Sequence, residues 1–600
     1  MSEERMSVAA YRQRIDRLTV LLTSLNEKRN QLAWFRFLSV IVAFAVAYVL
    51  WPLGIFIAIS VFILLFGLFL RLVVLDVRNK NKIDNTNTLI EINNEEIKIA
   101  AHQFTHRDDG SRFLPATHAY AADLDIFGRA SIYQYINRTT SEQGNRLLSN
   151  WLLAPAEEND ILERQDAAKE LSEKMEWRQQ LQAYGIKDHL TIDTETKISQ
   201  WLKEENNFTY SSKWKTTRFL LPVLSVSSLL LCIAGVIPTP VFLGIAFIFF
   251  IVSGAISRTI MPLYDKLNKI ASQIETLSDS ARCIETTTFK TPMLQQVQQH
   301  FYTGNRKASA DIKHLKTILD RFDIRLNPLV FIPLNTLFFW DLQQAFALEN
   351  WKVRHKDKAI RWMYSLAEME SISCIANISF NHPDWCFPTI SHEPGTLKAT
   401  ELGHPLIEKQ KRINNSFTTE GLNQLALITG SNMAGKSTFL RSVGINVILA
   451  MMGAPVCAQS FSVYRMKIMS SMRIADNLEE NTSTFYAELK KLKDIIEAVN
   501  RNERIYILLD EILRGTNSLD RHAGSIALVK QLIHHKAVGM IATHDIELAK
   551  LAEEFPANIH NYYFDVQVAN DELYFDYSLK KGVCQSMNAS ILMKKIGIEL

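Results

Sequence analysis

The stretch LALITGSNMAGKST, residues 425–438, decides how this chain is read. Its first five residues form a short apolar run rich in β-formers, which predicts a buried strand. The run breaks into Gly430, Ser431, Asn432, Met433, Ala434, Gly435, Lys436 and Ser437, the order G-x-x-x-x-G-K-[ST], and a helix pattern follows from Thr438. Glycines let backbone N–H groups curl around a β-phosphate, and the helix N-terminus adds its partial positive charge. Lys436 can then reach β- and γ-phosphate oxygens, and the Ser437 hydroxyl can ligate Mg²⁺. A Gly-Lys turn before a helix also arises by chance, but here the strand and the helix flank the motif as the chemistry requires. The expected ligand is a nucleoside triphosphate with Mg²⁺.

A second apolar run, IYILLDE, ends in Asp510 and Glu511. On a parallel strand beside the first, Asp510 would sit near the metal and Glu511 would orient or deprotonate the attacking water. Two carboxylates at a strand end are otherwise an ordinary solvated turn; downstream of a phosphate loop they imply hydrolysis as well as binding.

Six hundred residues exceed one hydrophobic core, so several domains are expected. A net charge of +3 neither demands nor excludes nucleic acid, because a basic face can hide in a neutral total. The six cysteines lack metal-ligand spacing and suit reduced thiols. No cleavable signal is expected, since the first residues are charged and helix-patterned.

In chain order, residues 1–36 predict a basic cytoplasmic helix. Residues 37–75 hold a charge-free run from Phe37 to Leu70, broken by Pro52 and Gly54, which reads as a transmembrane hairpin. A helical linker is expected over 76–120 and a mixed-charge helical region over 121–215. A second charge-free run, Phe219 to Ser257, is broken at Pro238 and Pro240 and makes 216–258 a second hairpin. Basic residues flank both runs on the outside, so the positive-inside rule places all flanks in the cytoplasm, on a multi-pass inner-membrane protein. A buried soluble hairpin and a single span are the alternatives for each run. Residues 259–380 read as long helices in which Phe338, Phe339 and Trp340 suit core or interface better than base stacking. From 381 to 600 short β-like runs mark an α/β nucleotide domain. The fold class expected is multidomain: membrane α-helical hairpins, an all-α core and lever, and a C-terminal α/β P-loop ATPase domain.

Beyond the phosphate loop the segments NTSTF (481–485), LLDEILRGTNSLD (508–520) and IATHDIEL (541–548) follow in order. A Ser or Thr before a helix is most often an N-cap, and a histidine ending a strand is usually a surface residue; in this set His544 can instead sense a γ-phosphate. Together with GSNMAGKST, these segments resemble the MutS mismatch-repair ATPases. The resemblance extends to LGHPL (402–406), Asn414 and Asn415, to FGRASIYQYINRTTSEQGNRLLSNWLLAP (127–155), and to residues 363–388. It implies an ABC-type ATPase working as a homodimer with composite ATP sites. Ser483 and Thr484 would reach the partner's γ-phosphate, Asn432 would contact phosphate, residues 514–520 would line the dimer interface, and His544 would contact γ-phosphate in its own subunit. The His404 region would help hold adenine. The catalytic set so implied is Glu511, Lys436 and His544, with Ser437 and Asp510 on the metal.

Departures from the family are as informative. No Phe-x-Glu precedes Asp123, where mismatch readers carry their aromatic wedge, and a membrane hairpin fills that space. The interval 258–327 looks too short for a full DNA-clamp insertion, and the chain is expected to end without an appended helix-turn-helix or nuclease domain.

The function these features predict is an ATP-switched dimeric clamp on double-stranded or branched DNA, held at the membrane by two hairpins. Arg306, Lys307, Lys313, Lys316 and Arg321 are candidate phosphate contacts, although mixed-charge helix faces are commonly only solvated. The alternatives are an ABC-like transport or remodelling ATPase, against which stand the missing Leu-Ser-Gly-Gly-Gln signature and few polar intramembrane groups, and an ATP-controlled membrane tether.

Overall fold

A computed structural model describes residues 4–431, 433–473, 484–569 and 572–584. The chain divides into two compact units. One gathers the chain up to Asn137, Leu148–Met175 and the chain from Ile372 on; the other comprises Arg138–Leu147 and Glu176–Ser371.

The first unit begins with two antiparallel helices, α1 (Glu4–Leu50) and α2 (Ile55–Ala100), joined by a tight turn in which Gly54 takes φ 129°. Neither helix breaks at 36 or 75, the expected domain edges. No proline or glycine interrupts α1, so the charged and apolar parts share one rod, about 70 Å long at 1.5 Å per residue. The apolar ends are bare, with Phe44, Tyr48, Phe56 and Leu64 exposed. Arg36 and Asp76 pair at 3.1 Å just outside them, and the Asn79 amide donates to Leu25 O at 2.9 Å further down the pair. At the far end Glu96 is buried and accepts from Asn377 and Asn381 at 3.2 and 3.1 Å, while Tyr11 Oη donates to Asn381 Oδ1 at 2.7 Å. The expected linker 76–120 is helical only to Ala100, apart from the single turn Ser111–Phe113. His102, with φ of 56°, takes the left-handed conformation just past the end of the helix.

In the second unit α3 (Ser212–Ile233) and α4 (Thr239–Asn268) form the second hairpin. Among the described residues four helices, α1 to α4, are long and apolar enough to cross a membrane. The aromatic-rich region after residue 326 is not one helix: α5 (Pro328–Phe338) ends at Phe339, whose φ of 51° turns the chain into α6 (Trp340–Asn381). Of the aromatic cluster, Phe339 is buried and Phe338 exposed.

The remainder of the first unit is a mixed α/β domain. Strands β1 (Thr389–Ser391), β2 (Leu397–Leu402) and β3 (Asn415–Thr419) precede β4 (Gln424–Thr429) and α7 (Lys436–Met452). Then come β5 (Ser460–Tyr464), β6 (Lys467–Ser471), α8 (Thr484–Asn500), β7 (Ile505–Asp510), α9 (Ser518–His534), β8 (Val538–Thr543), β9 (Ile559–Ala569) and β10 (Glu572–Lys581). Six strands form a sheet in the order β10-β9-β4-β8-β7-β6, all parallel except β10, and a smaller sheet runs β1-β5-β2-β3. Every residue of β7 and β8 is buried, as a parallel sheet covered on both faces requires. Leu492, Ile495 and Val499 of α8 and Leu528, Val529 and Leu532 of α9 join one core with Ile507, Leu509 and Ile541 of the sheet. Across the sheet Gly444 of α7 leaves room for Leu124; a Cβ there would lie 2.7 Å from its Cδ1. Residues 148–175, expected in the all-α core, pack with this domain: Ala156 N donates to Met451 O at 3.0 Å and Gln165 Nε2 to Pro388 O at 2.9 Å.

Asp123 ties the irregular segment before these helices to the sheet. Its buried carboxylate accepts from Ser470 Oγ at 2.7 Å, from the amides of Met472 and Arg473 at 3.2 Å, and from Lys491 Nζ at 2.9 Å. Removing it takes their acceptor from two amides and the carboxylate partner from Lys491, so we expect Asp123→Ala to cost about 2–4 kcal/mol. Asp123→Asn should cost less. Urea unfolding of the purified protein, followed by tryptophan fluorescence, measures both.

Candidate functional site

Strand register builds the site. Thr429 of β4 is level with Thr543 of β8, and Asp510 of β7 with Ala542. The residues that follow each strand, Gly430, Glu511 and His544, therefore emerge together at the carboxyl edge of the sheet. Gly430 (φ 150°) and Gly435 (φ 106°) shape the turn, and both are closely packed from above. A Cβ on Gly430 would lie 2.7 Å from Phe564 O, and one on Gly435 3.0 Å from a Tyr577 ring carbon. Glycine is required twice over, by conformation and by space.

Lys436, the first residue of α7, is buried, and burial pulls its pKa down against the opposing pull of Glu511 and Asp510. Its ammonium donates to Gly430 O at 2.7 Å and Ser431 O at 2.9 Å, and its Nζ lies 3.4 Å from His544 Nδ1. His544 Nδ1 also lies 2.9 Å from Gly430 O, and its Nε2 meets the Glu511 carboxylate. Arg514 Nε pairs with the other Glu511 oxygen at 3.0 Å. Held chiefly by His544, the Glu511 carboxyl is drawn below the ordinary carboxylate range. Glu511 and Leu513 have φ of 51° and 59°, which for non-glycine residues stores strain of about 1 kcal/mol or more each. Glu488 of α8 holds this strained turn, its buried carboxylate accepting from the amides of Leu513 and, at 3.2 Å, Arg514.

Asp510 is also buried, and burial raises its pKa, partly offset by a hydrogen bond from Ser437. Its Oδ1 has no hydrogen-bond partner. A carboxylate oxygen left unsatisfied beside a serine hydroxyl fits the oxygen donors a hard divalent cation takes, so this pair suits Mg²⁺.

A cavity of about 410 Å³ extends from the loop past Ser437 and Thr438 toward His404, Ile407, Ile413 and Tyr577. Lys411, Arg412 and Asn415 line that end too, and burial holds the His404 pKa down to about 4, so that imidazole is neutral at physiological pH. The loop residues expected from the sequence, from Ser431 through Met433, Ala434, Gly435, Lys436, Ser437 and Thr438, line this cavity together with Glu511. Asn432 and Ser483, and the side chain of Thr484, lie outside the described residues. Asn517 caps α9, accepting from Asp520 N at 2.9 Å. The sequence reading gave no structural role to Asp123, Phe564 or Tyr577, whose partners come from distant segments, or to Glu488. An acidic residue inside an amphipathic helix carries no mark of its partner.

The site thus defines a class: an α/β domain with a glycine-rich turn, a buried lysine and an acidic strand end. The sequence profile of MutS domain V matches residues 426–596. Human MutS protein homolog 4 is 34% identical over 245 residues, 38% of this chain and 25% of that protein; the mouse protein of the same name matches to the same extent. The DNA mismatch repair protein MutS of Desulfatibacillum aliphaticivorans is 33% identical over 243 residues, 39% of this chain and 26% of that protein. The chain spans about a quarter of the length of the curated relatives it matches. Over residues 426–596 the chain is thus similar to MutS domain V.

Asp510 yields a test by linkage. A folded-state pKa raised above the unfolded value means that its contribution to stability is fully present below the unfolded pKa and is lost as pH rises through the folded one. We expect Asp510→Asn, which removes the buried charge, to leave the nucleotide-free protein as stable as wild type or more so at pH 7, with less gain at pH 4. The same variant should lose Mg²⁺-dependent nucleotide binding. Thermal melts at the two pH values, with and without Mg²⁺-nucleotide, check both halves.

Proposed function

We propose that this protein is a membrane-anchored MutS-family ATPase that binds and hydrolyses ATP to open and close a dimeric clamp on DNA. The observation that carries the reading is the convergence of Lys436, Asp510, Glu511 and His544 at one sheet edge, within a stretch similar to MutS domain V.

Lys436 would leave the carbonyls of Gly430 and Ser431 for the β- and γ-phosphates, exchanging neutral acceptors for charged ones. Ser437 and Asp510 would hold Mg²⁺, which supplies positive charge against the phosphate oxygens. Glu511, ionised and already aimed at the loop, would orient and deprotonate the attacking water once His544 and Arg514 release it. His544 would then turn its imidazole to the γ-phosphate. The end of the cavity with Ile407, Ile413 and neutral His404 would take adenine. Ser483 and Thr484 would complete the site of a second subunit, which makes hydrolysis depend on dimerisation.

The hairpins would hold the ATPase at the cytoplasmic face of the inner membrane. Discrimination among DNA forms would rest on shape and backbone contacts. Of the candidate basic contacts, Arg306 and Lys307 are exposed, whereas Lys316 is engaged with Asp320.

Lys436→Ala is expected to abolish tight nucleotide binding. Glu511→Gln should retain binding and slow turnover by about 10²–10⁴-fold, trapping the dimer; normal turnover would remove Glu511 from the role of base. ATPase rates of the detergent-purified protein against homoduplex, mismatched duplex, four-way junction and single strand, at two salt concentrations, test the substrate. DNA stimulation that weakens with salt is the expected result. A flat response would sink the clamp and favour a transport, remodelling or tethering role.

A further inference from the structure

The second unit contains an apolar element that the two hairpins do not account for. Residues 326–340, LNPLVFIPLNTLFFW, carry no charge. Their helix α5 has 11 residues, about 16 Å, roughly half of the ~30 Å a spanning helix must cover. Its outer face is bare: Leu329 is 88% exposed, and Val330, Ile332 and Phe338 are also exposed.

Two sets of contacts set its level. Both ends are pinned at the foot of the hairpin, beside or just outside its charge-free part: Arg218 immediately precedes Phe219, and Tyr264 lies seven residues beyond Ser257. Asp323, before α5, accepts from Tyr264 Oη at 2.5 Å, and Gln343, after it, accepts from Arg218 Nε at 2.8 Å. Arg325 stacks on Tyr264 at 4.4 Å and pairs with the buried Asp341 at 2.9 Å, so the charges that bracket the segment neutralise each other there. Between the ends the segment packs on the apolar part of the hairpin. Ser225 Oγ donates to Thr336 O at 3.2 Å, Asn335 Nδ2 donates to Ser257 Oγ at 3.0 Å, and Phe339 meets Phe249 edge-on. Ser225 lies seven residues beyond Arg218 in α3, about 10 Å along that helix. Within α5 the polar residues Asn335 and Thr336 are thus buried against the hairpin, and the exposed side chains of the helix are apolar; Asn327, just before it, is exposed.

We propose that residues 326–340 are a half-inserted helix that enters and leaves one leaflet of the bilayer beside the second hairpin. The occupant of the exposed Leu329 face is lipid acyl chain, because that face continues the exposed apolar surface of α3 and α4. Leu220, Val223 and Leu224 of the hairpin are exposed as well, so the bare apolar surface is not confined to a patch that one soluble partner would cover. The inference rests on α3 and α4 lying in the membrane. It adds that the second unit grips one leaflet with three helices.

A photoreactive benzophenone amino acid placed at Leu329, Phe247 or Lys493 of the full chain in lipid nanodiscs tests this. Phe247 is on the exposed face of α4, and Lys493 is exposed on the α/β domain. Irradiation should give lipid adducts at 329 and 247 and none at 493, read by intact mass. Adducts at 247 but not at 329 would overturn the half-inserted helix and leave the hairpin in the membrane. A protein–protein crosslink from 329 would assign the face to a second copy instead and equally overturn it. No lipid adduct at either position would remove the membrane reading and this inference together.

Discussion

Everything chemical in this protein depends on parallel strands that end at one level. Because β4, β7 and β8 are in parallel register, the peptide units after each project from the same edge, and Gly430, Glu511 and His544 become neighbours although 81 and 33 residues separate them in turn. A lysine ammonium buried at that edge has no anion of its own. It takes two loop carbonyls instead, while Glu511 is held by His544 and Arg514. The groups that would act on a triphosphate are thus bonded to one another, and an incoming anion has only to displace neutral acceptors to recruit the lysine. The strained turn at Glu511 is kept by Glu488, a buried carboxylate whose two amide bonds outweigh the cost of two left-handed residues.

The same domain carries a long lever. Helices α1 and α2 run unbroken from their apolar tip to a polar knot in which Glu96, Asn377, Asn381 and Tyr11 satisfy one another. Buried polar groups cost free energy unless each finds a partner, and the partners here sit where α6 ends and the chain turns into the α/β domain. The foot of the α1–α2 hairpin is fastened to the entrance of the α/β domain by directional bonds, which resist sliding better than apolar contact does. This makes the hairpin more than a tether on a flexible linker.

Much of this was legible in the chain. The phosphate-loop motif lies between a strand and a helix because Gly430 and Gly435 leave no other local option, and the acidic strand end announces itself by seven residues of pattern. The two charge-free runs locate both hairpins, since no soluble helix needs so long a stretch without a charge. The turns at Pro52 and Pro238 were marked by proline and glycine. Other features were hidden. The long α1 and α2 were cut short because charge, which sets the membrane boundary, does not set the helix boundary. Helix α5 was folded into a longer aromatic region because Phe339, where it ends, is no turn residue by type. Asp123 and Tyr577 gain meaning only from partners hundreds of residues away.

By itself the sequence determined the elements and the chemistry available: which runs must leave water, where a loop can receive phosphate, and which carboxylates end a strand. These are local properties, set by side-chain polarity and backbone freedom within a few residues. Only the tertiary structure decided which of them meet. Strand order placed β8 between β4 and β7, and so joined His544 to both the loop and the acidic pair. Packing on α3 and α4 gave α5 its level, and burial decided that Asp510 would keep an oxygen without a partner. The physical reason is the same in each case: register, depth and desolvation are properties of neighbours in space, and a chain read in order does not contain them.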